Sequence, residues 1–329
     1  RKSGIGGTDG RLQAGFSFKK HIITTAFRQI RYQTAVRSIM IEKLDGLTLK
    51  GLLQKHGFGF SKSLGQNFLC DERILSAIAD DADIKKGDTV LEIGPGAGTL
   101  TRVMAKRGAR VTAVEIDKTL LPVLAETLEG FNTEVINADF LKLNLEELYH
   151  QHLAPGFKLV ANLPYYITTP IIMRLLQSGL PYDSLTVLVQ REVANRMAAA
   201  PGTAEYGSLS CAVQYYCIPH LRTRLPAACF FPPPKVESRV ITLSRRSAPA
   251  VSVHDEKLFF DVMHAAFAMR RKTYANNLMH AFSLSREDAE RILIQCGLDL
   301  SVRGEKLSLD AFARIAEFMY SEKSKQHTL

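Results

Sequence analysis

From Asp88 onward, short apolar runs rich in β-branched residues alternate with stretches long enough for a helix. The runs are DTVLEI (88–93), ARVTAVEI (109–116), TEVINA (133–138), FKLVAN (157–162) and SLTVLV (184–189). Strands this apolar must be covered on both faces, so the alternation predicts βαβ units around a parallel sheet. A further run, SRVITLS (238–244), adds one more strand. SRRSAPAVSVHD (244–255) has lost periodicity and reads as a linker. Beyond it, 255–281, 285–296 and 308–320 have helical spacing. The expected organisation is a tail at 1–40, an α/β domain at 41–247 and a small all-helical domain at 248–329. The α/β domain opens on an amphipathic stretch with Ile41, Leu44, Leu47, Leu49 and Leu52 at helical spacing.

Charge sharpens this division. The formal net charge is +9, yet residues 1–40 hold eight Lys/Arg against the single acid Asp9, and the rest is nearly neutral. Nucleic-acid binding therefore has to be argued from local clusters, not from overall charge. The tail admits three readings: an organelle-targeting peptide, a basic arm for RNA phosphates, or sequence upstream of a native start at Met40. The third is favoured. Cys70, Cys211, Cys217, Cys229 and Cys296 form no CxxC pair and no metal-ligand spacing with His, so neither a metal nor a disulfide scaffold is expected. No window approaches the ~18 consecutive apolar residues of a membrane span, and a cytoplasmic location is expected. His150 and His152 are expected to face solvent, and Tyr215, Tyr216, Phe259 and Phe260 to be core.

The first strand runs into Glu92-Ile93-Gly94-Pro95-Gly96-Ala97-Gly98-Thr99-Leu100. Glycines at a strand-to-helix turn take φ > 0 and let backbone approach a ligand closely. A dinucleotide fingerprint would need GxGxxG, but the glycines sit as GxGxG, and the phosphate loop GxxxxGK[ST] is absent. Glu115, 21 residues after Gly94 at the end of the second strand, can accept both hydroxyls of a ribose. That pairing fits NAD or S-adenosylmethionine; an acid two residues before GxGxG, with Pro95 inside it, favours the latter. The candidate cofactor residues here are Gly94, Gly96, Gly98 and Glu115. Asp139, ending the third strand, can accept from an adenine amine or simply cap the next helix.

The fourth strand ends in Asn162-Leu163-Pro164-Tyr165. An exocyclic amine is hard to methylate because its lone pair is delocalised into the ring. The Asn162 side-chain oxygen and the Leu163 carbonyl can accept its two N–H bonds, localising the lone pair and offsetting the charge that develops. Pro164 fixes the turn, and Tyr165 can stack on an unstacked base. No general base is needed and none is proposed.

These motifs, with SLGQNFL (63–69), VEID, NADF, QREVA (190–194), FFPPPKV (230–236), AFAMRRKT (266–273) and RGEKLS (303–308), occur in the order seen in the KsgA-type ribosomal RNA adenine dimethyltransferases, which the chain resembles over about 55–318. The resemblance implies a Rossmann-like methyltransferase sheet with a small C-terminal helical domain. It also implies S-adenosylmethionine as cofactor, enclosed by Gln66, Asn67 and Leu69, with Gly94 under its methionine end and Asn162 bordering both cofactor and base. Phe230 is implied to stack opposite Tyr165. The implied reaction dimethylates N6 of two adjacent adenines near the 3′ end of 16S rRNA in the small subunit, with a role in ribosome assembly. DNA adenine methyltransferases tend to carry an Asp-Pro-Pro-Tyr-like motif, and the large-subunit resistance enzymes Asn-Ile-Pro-Tyr; neither stands here. The alternative is an RNA-binding assembly factor for which methylation is secondary. A monomer is expected. Lys235, Arg270, Arg271 and Lys272 are the preferred RNA contacts, with Lys62, Arg222 and Arg224 as further local cations.

Overall fold

The computed structural model describes residues 46–59 and 66–326. The tail at 1–40, and residues 60–65 with Lys62, lie outside the described residues. In chain order the elements begin α1 (Gly46–Lys55), β1 (Phe68–Leu69), α2 (Glu72–Asp81), β2 (Thr89–Ile93), α3 (Thr99–Lys106), β3 (Arg110–Glu115), α4 (Leu121–Thr127) and β4 (Thr133–Asn137). They continue α5 (Leu145–His152), β5 (Phe157–Asn162), α6 (Thr168–Leu176), β6 (Tyr182–Gln190), α7 (Arg191–Met197), α8 (Ser208–Tyr216), β7 (Cys217–Leu225), β8 (Phe230–Phe231) and β9 (Ser238–Arg245). Four helices close the described chain: α9 (Glu256–Ala268), α10 (Tyr274–Phe282), α11 (Arg286–Gln295) and α12 (Leu309–Gln326).

Seven strands form one sheet in the order β4-β3-β2-β5-β6-β9-β7. The five on the β4 side run parallel; β9 and β7 join antiparallel. All six runs read from the sequence are strands of this sheet. The interior residues of β2, β3, β5 and β6 are buried because helices cover both faces, as the continuous apolar pattern requires, whereas β4, at the sheet edge, has only half-buried and exposed residues. β7 was not legible. CIPHLRTRL carries Pro, His and two Arg because it is an edge strand with half its pairing groups exposed. The two-residue ladder β1-β8 was equally invisible, since each half takes its extended form from the other.

The expected helix over 255–281 is two helices, with Met269 leaving the helical region and Thr273 preceding α10. Tertiary bonds enforce the break. The Tyr274 amide donates to the Val302 carbonyl (2.7 Å), the Tyr274 hydroxyl to that of Val262 (2.8 Å) and the Asn277 amide to that of Ala266 (3.1 Å). The core of these helices also takes in Tyr206, Cys211, Ala212 and Tyr215, so one apolar cluster crosses the expected boundary at 247. Tyr215 stacks on Phe259 with centroids 4.9 Å apart, and Tyr216 and Phe260 pack against the same cluster. In α1, Leu49 and Leu53 are buried and Leu52 packs beside them, while Ile41 and Leu44 lie outside the described residues. His150 is exposed, but His152 is half-buried with Nδ1 2.9 Å from Glu134 Oε2, because the end of α5 returns beside β4. Among the described residues, no helix is long and apolar enough to cross a membrane.

Candidate active site

The chain leaves β2 outward through β3 and β4, then crosses back to place β5 on the other side of β2. At such a switch the loops following the two central strands diverge and open a crevice at their C-terminal ends. A cavity of about 230 Å³ lies there, lined by residues of the Gly94–Gly96 turn, the ends of β3 and β5, and β1.

The three glycines of the turn all have positive φ, 69°, 59° and 78° at Gly94, Gly96 and Gly98, but they serve different ends. A Cβ on Gly94 would meet no protein atom within 4 Å, so this position keeps cavity space open. A Cβ on Gly96 would come within 2.7 Å of the Phe68 ring, and one on Gly98 within 3.0 Å of Thr127 Oγ1. Gly98 does not line the cavity: it precedes α3 and lets that turn approach Leu124, Thr127 and Leu128. The contacts around Gly98 are therefore those of packing.

Glu115 lies on the cavity wall, only 4% exposed. Burial raises its pKa, opposed by backbone amides that donate to it, Gly96 at 3.2 Å and Asp117 at 2.8 Å. Behind it, Glu92 is fully buried and accepts the Thr101 hydroxyl at 2.6 Å. Burial first, and the neighbouring Glu115 charge last, push the Glu92 carboxyl up to about 8 against the opposing Thr101 bond. In the sequence Glu92 is simply the acid of the motif, and no spacing signals its burial. Asp139 caps the short helical turn that follows it, and it also faces the cavity. Its Oδ1 accepts the Leu141 amide at 3.0 Å.

Gln66, Asn67, Phe68 and Leu69 run across the cavity, tied down at both flanks. Gln66 Nε2 donates to Asp117 Oδ2 at 2.7 Å, and the Asn67 carbonyl accepts Asn162 Nδ2 at 2.9 Å. A carbonyl can only accept, so the Asn162 amide is oriented without ambiguity and Oδ1 remains its acceptor. Leu163 is buried with its amide donating to Leu188. The Pro164 carbonyl accepts from the Ile167 amide and the Thr168 hydroxyl, closing the turn. The Tyr165 hydroxyl lies 2.6 Å from Ser238 Oγ, and burial raises its pKa. In the sequence Ser238 is no more than the first residue of a strand. Its meeting with Tyr165 depends on β9 pairing antiparallel with β6. Tyr166, next in the same turn, also lines the cavity and is 57% exposed.

Phe230 departs from expectation. It pairs with Leu69 across β1-β8, is 5% exposed, and belongs to the apolar cluster of Leu69, Leu75, Leu225 and Val240, away from the cavity lining. Packing in that cluster takes up its ring, and Phe231 is the exposed residue of β8. Lys235 is exposed beyond β8. Arg270, Arg271 and Lys272 occupy the turn between α9 and α10, with Arg270 donating to the Ala204 carbonyl at 3.1 Å. None of these four cations lines the cavity.

Residues 57–321 match the family described as ribosomal RNA adenine dimethylase. The chain is 48% identical over 284 residues to the ribosomal RNA small subunit methyltransferase A of Streptococcus gordonii, covering 84% of this chain and 98% of that protein. The protein of the same name from Clostridioides difficile is 46% identical over 279 residues, covering 84% and 96%. Among solved structures, a dimethyladenosine transferase from Plasmodium falciparum superposes with TM-score 0.66 at 23% identity, over 78% of this chain and 98% of that one. The 23S rRNA methyltransferase ErmE superposes with TM-score 0.56 at 28% identity, over 76% and 98%. With the family match spanning most of its length and near-complete relatives at almost half identity, this chain belongs to the ribosomal RNA adenine dimethylases.

Proposed function

We propose that this chain is an S-adenosylmethionine-dependent methyltransferase that converts adenine to N6,N6-dimethyladenine in small-subunit ribosomal RNA. The observation that carries the reading is Asn162 at the mouth of the crevice, its NH2 group committed to Asn67 and its oxygen left to receive a donor.

The cavity suits the cofactor. Gly94 supplies backbone with space where any side chain would stand, Glu115 a carboxylate for ribose hydroxyls, and Asp139 an acceptor for an adenine amine. Gln66, Asn67 and Leu69 would enclose it from above. When bound, S-adenosylmethionine supplies an electrophilic methyl group on a sulfonium centre.

The chain's own residues then present the nucleophile. In the first transfer Asn162 Oδ1 and the Leu163 carbonyl accept hydrogen bonds from the two N6–H groups, and in the second one of them accepts from the single N–H that remains, which turns the amine out of conjugation and aims its lone pair at the methyl group. Both oxygens also stabilise the charge that appears on N6 during transfer, when hydrogen bonds in a dry site count most. Once methylated, the N6 cation is acidic and loses its proton to solvent. Tyr165 does not serve as a base: burial keeps its hydroxyl neutral and Ser238 holds it, leaving the ring to stack on the base.

The test is methyl transfer from labelled S-adenosylmethionine to undermethylated small subunits, with the rRNA digested and analysed for N6,N6-dimethyladenosine. Label there, absent from large subunits and duplex DNA, is the expected result. Label confined to large subunits would move the substrate to the other subunit. Tight subunit binding without label would favour an assembly factor.

A further inference from the structure

The far end of the sheet carries a cluster of cations that the fold itself does not use. In the β7-β9 ladder Arg224 stands directly opposite Arg239, beside an irregularity between Leu221 and Arg224 that brings the Arg222 backbone within hydrogen-bond distance of Arg239. Directly opposed residues project to one face of a sheet, and like charges there are destabilising. Arg239 is half-buried, and its hydrogen bonds go to neutral groups: Nε to the Arg222 carbonyl at 3.2 Å and Nη1 to Asn195 Oδ1 at 3.3 Å. Among the described residues, none of Arg222, Arg224 and Arg239 forms an ion pair. Nearby Arg191 bridges Glu237 at 2.8 Å, and Asp81 of α2 accepts the Thr223 amide. Charges on an exposed edge strand often serve only to prevent sheet-to-sheet pairing. That purpose accounts for Arg222 and Arg224 on β7 but not for Arg239 on the interior strand β9.

Position supplies the remaining argument. Arg239 follows Ser238, which holds Tyr165, and the ladder places Arg239 opposite Val189, next to the Leu188 that pairs with Asn162. The arginines thus stand level with the chemical turn, with Arg224 three strand spacings away from it, roughly 14 Å. Guanidinium groups are the side chains best shaped to grip phosphate in pairs.

We propose that Arg222, Arg224 and Arg239 form a phosphate-binding ridge that holds the backbone of the RNA strand whose base enters the crevice. This rests on the reading of the chain as an rRNA methyltransferase. The repulsion within the ridge is relieved when RNA phosphates arrive.

The test compares wild type, Arg222→Gln/Arg224→Gln and Arg222→Lys/Arg224→Lys on undermethylated small subunits, with Arg286→Gln, a surface cation paired to Glu290, as control. The Gln pair is expected to raise KM for subunits about tenfold with kcat at saturation preserved. It should also flatten the log–log salt dependence of binding by between one and two, roughly 0.7–0.9 for each phosphate that is no longer neutralised. Its unfolding temperature should be equal to or above that of wild type, and the Lys pair should restore the salt slope. An unchanged KM and slope, or a loss that Lys does not rescue, overturns the ridge. Wild-type binding with no methyl transfer, but with the slope still reduced in the Gln pair, would overturn the enzymatic reading and leave the ridge standing.

Discussion

The Asn162 side chain commits its donor group to the Asn67 carbonyl, 2.9 Å away, so a ligand entering the crevice meets its oxygen. On the proposed reading, one substitution removes two things, an acceptor for the reacting amine and the anchor to the segment over the cavity. Asn162→Ala is expected to lower kcat by about 10²–10³-fold, the usual cost of deleting one transition-state hydrogen bond. Single-turnover methyl transfer at saturating cofactor measures this; a loss confined to KM for cofactor would assign the residue to the anchor alone. Glu92 offers a second test, through pH. In the unfolded chain it ionises near 4.5, in the fold only near 8. Across that window the folded chain holds the extra proton, so its contribution to stability is full below about 4.5 and is lost as pH rises through 8. The loss amounts to roughly 3–5 kcal/mol. Glu92→Gln, fixed in the neutral form, should flatten the decline, and melting curves from pH 5 to 9 that stay parallel to wild type would refute the assignment.

At the scale of elements, two glycine turns make opposite demands. Gly94 faces open cavity, whereas a Cβ on Gly304 would lie 2.0 Å from the Ala266 carbonyl oxygen of α9. Backbone cannot yield as a flexible side chain does. Gly304→Ala should therefore destabilise the protein by about 3 kcal/mol or more, the range of overpacking and backbone strain. Gly94→Ala has no protein atom to strike and strains only a φ of 69°, so its stability loss should stay near 1 kcal/mol while cofactor affinity falls at least tenfold. Thermal unfolding and calorimetric titration separate the two. Equal destabilisation by both would show that the open space beside Gly94 is not a ligand site.

For the molecule as a whole, the deciding feature is a core that ignores the linker. Tyr206, Cys211, Ala212 and Tyr215 precede the linker in sequence yet pack with α9 to α12. A chain ending at residue 247 would leave these four facing water. It is expected to unfold at markedly lower temperature or to aggregate, as large newly exposed apolar patches do. An unchanged melting temperature would mean that the sheet half is self-sufficient. The same continuity links the basic turn at Arg270 to the 199–206 loop through the Ala204 carbonyl, so the helical half is held against the sheet half by polar bonds as well as apolar contact.

Most of the sheet was legible because its strands are buried on both faces, and local composition alone reports that: TVLEI, RVTAVE and FKLVAN can be little else. The glycine turn and the NLPY turn (162–165) were legible for a similar reason, since each needs particular residue types at fixed short spacing. What the sequence could not carry was set by partners distant along the chain. β7 is a strand only because β9 accepts it, α9 and α10 separate because Val262, Ala266 and Val302 draw Tyr274 and Asn277 away, and Phe230 turns into the core because Leu69 lies beside it. The Tyr165–Ser238 bond, the burial of Glu92 and the opposition of Arg224 to Arg239 belong to the same class. Short-range chemistry is written in consecutive residues; register, burial and charge opposition arise only when segments far apart in sequence share one surface, and there the tertiary structure decides.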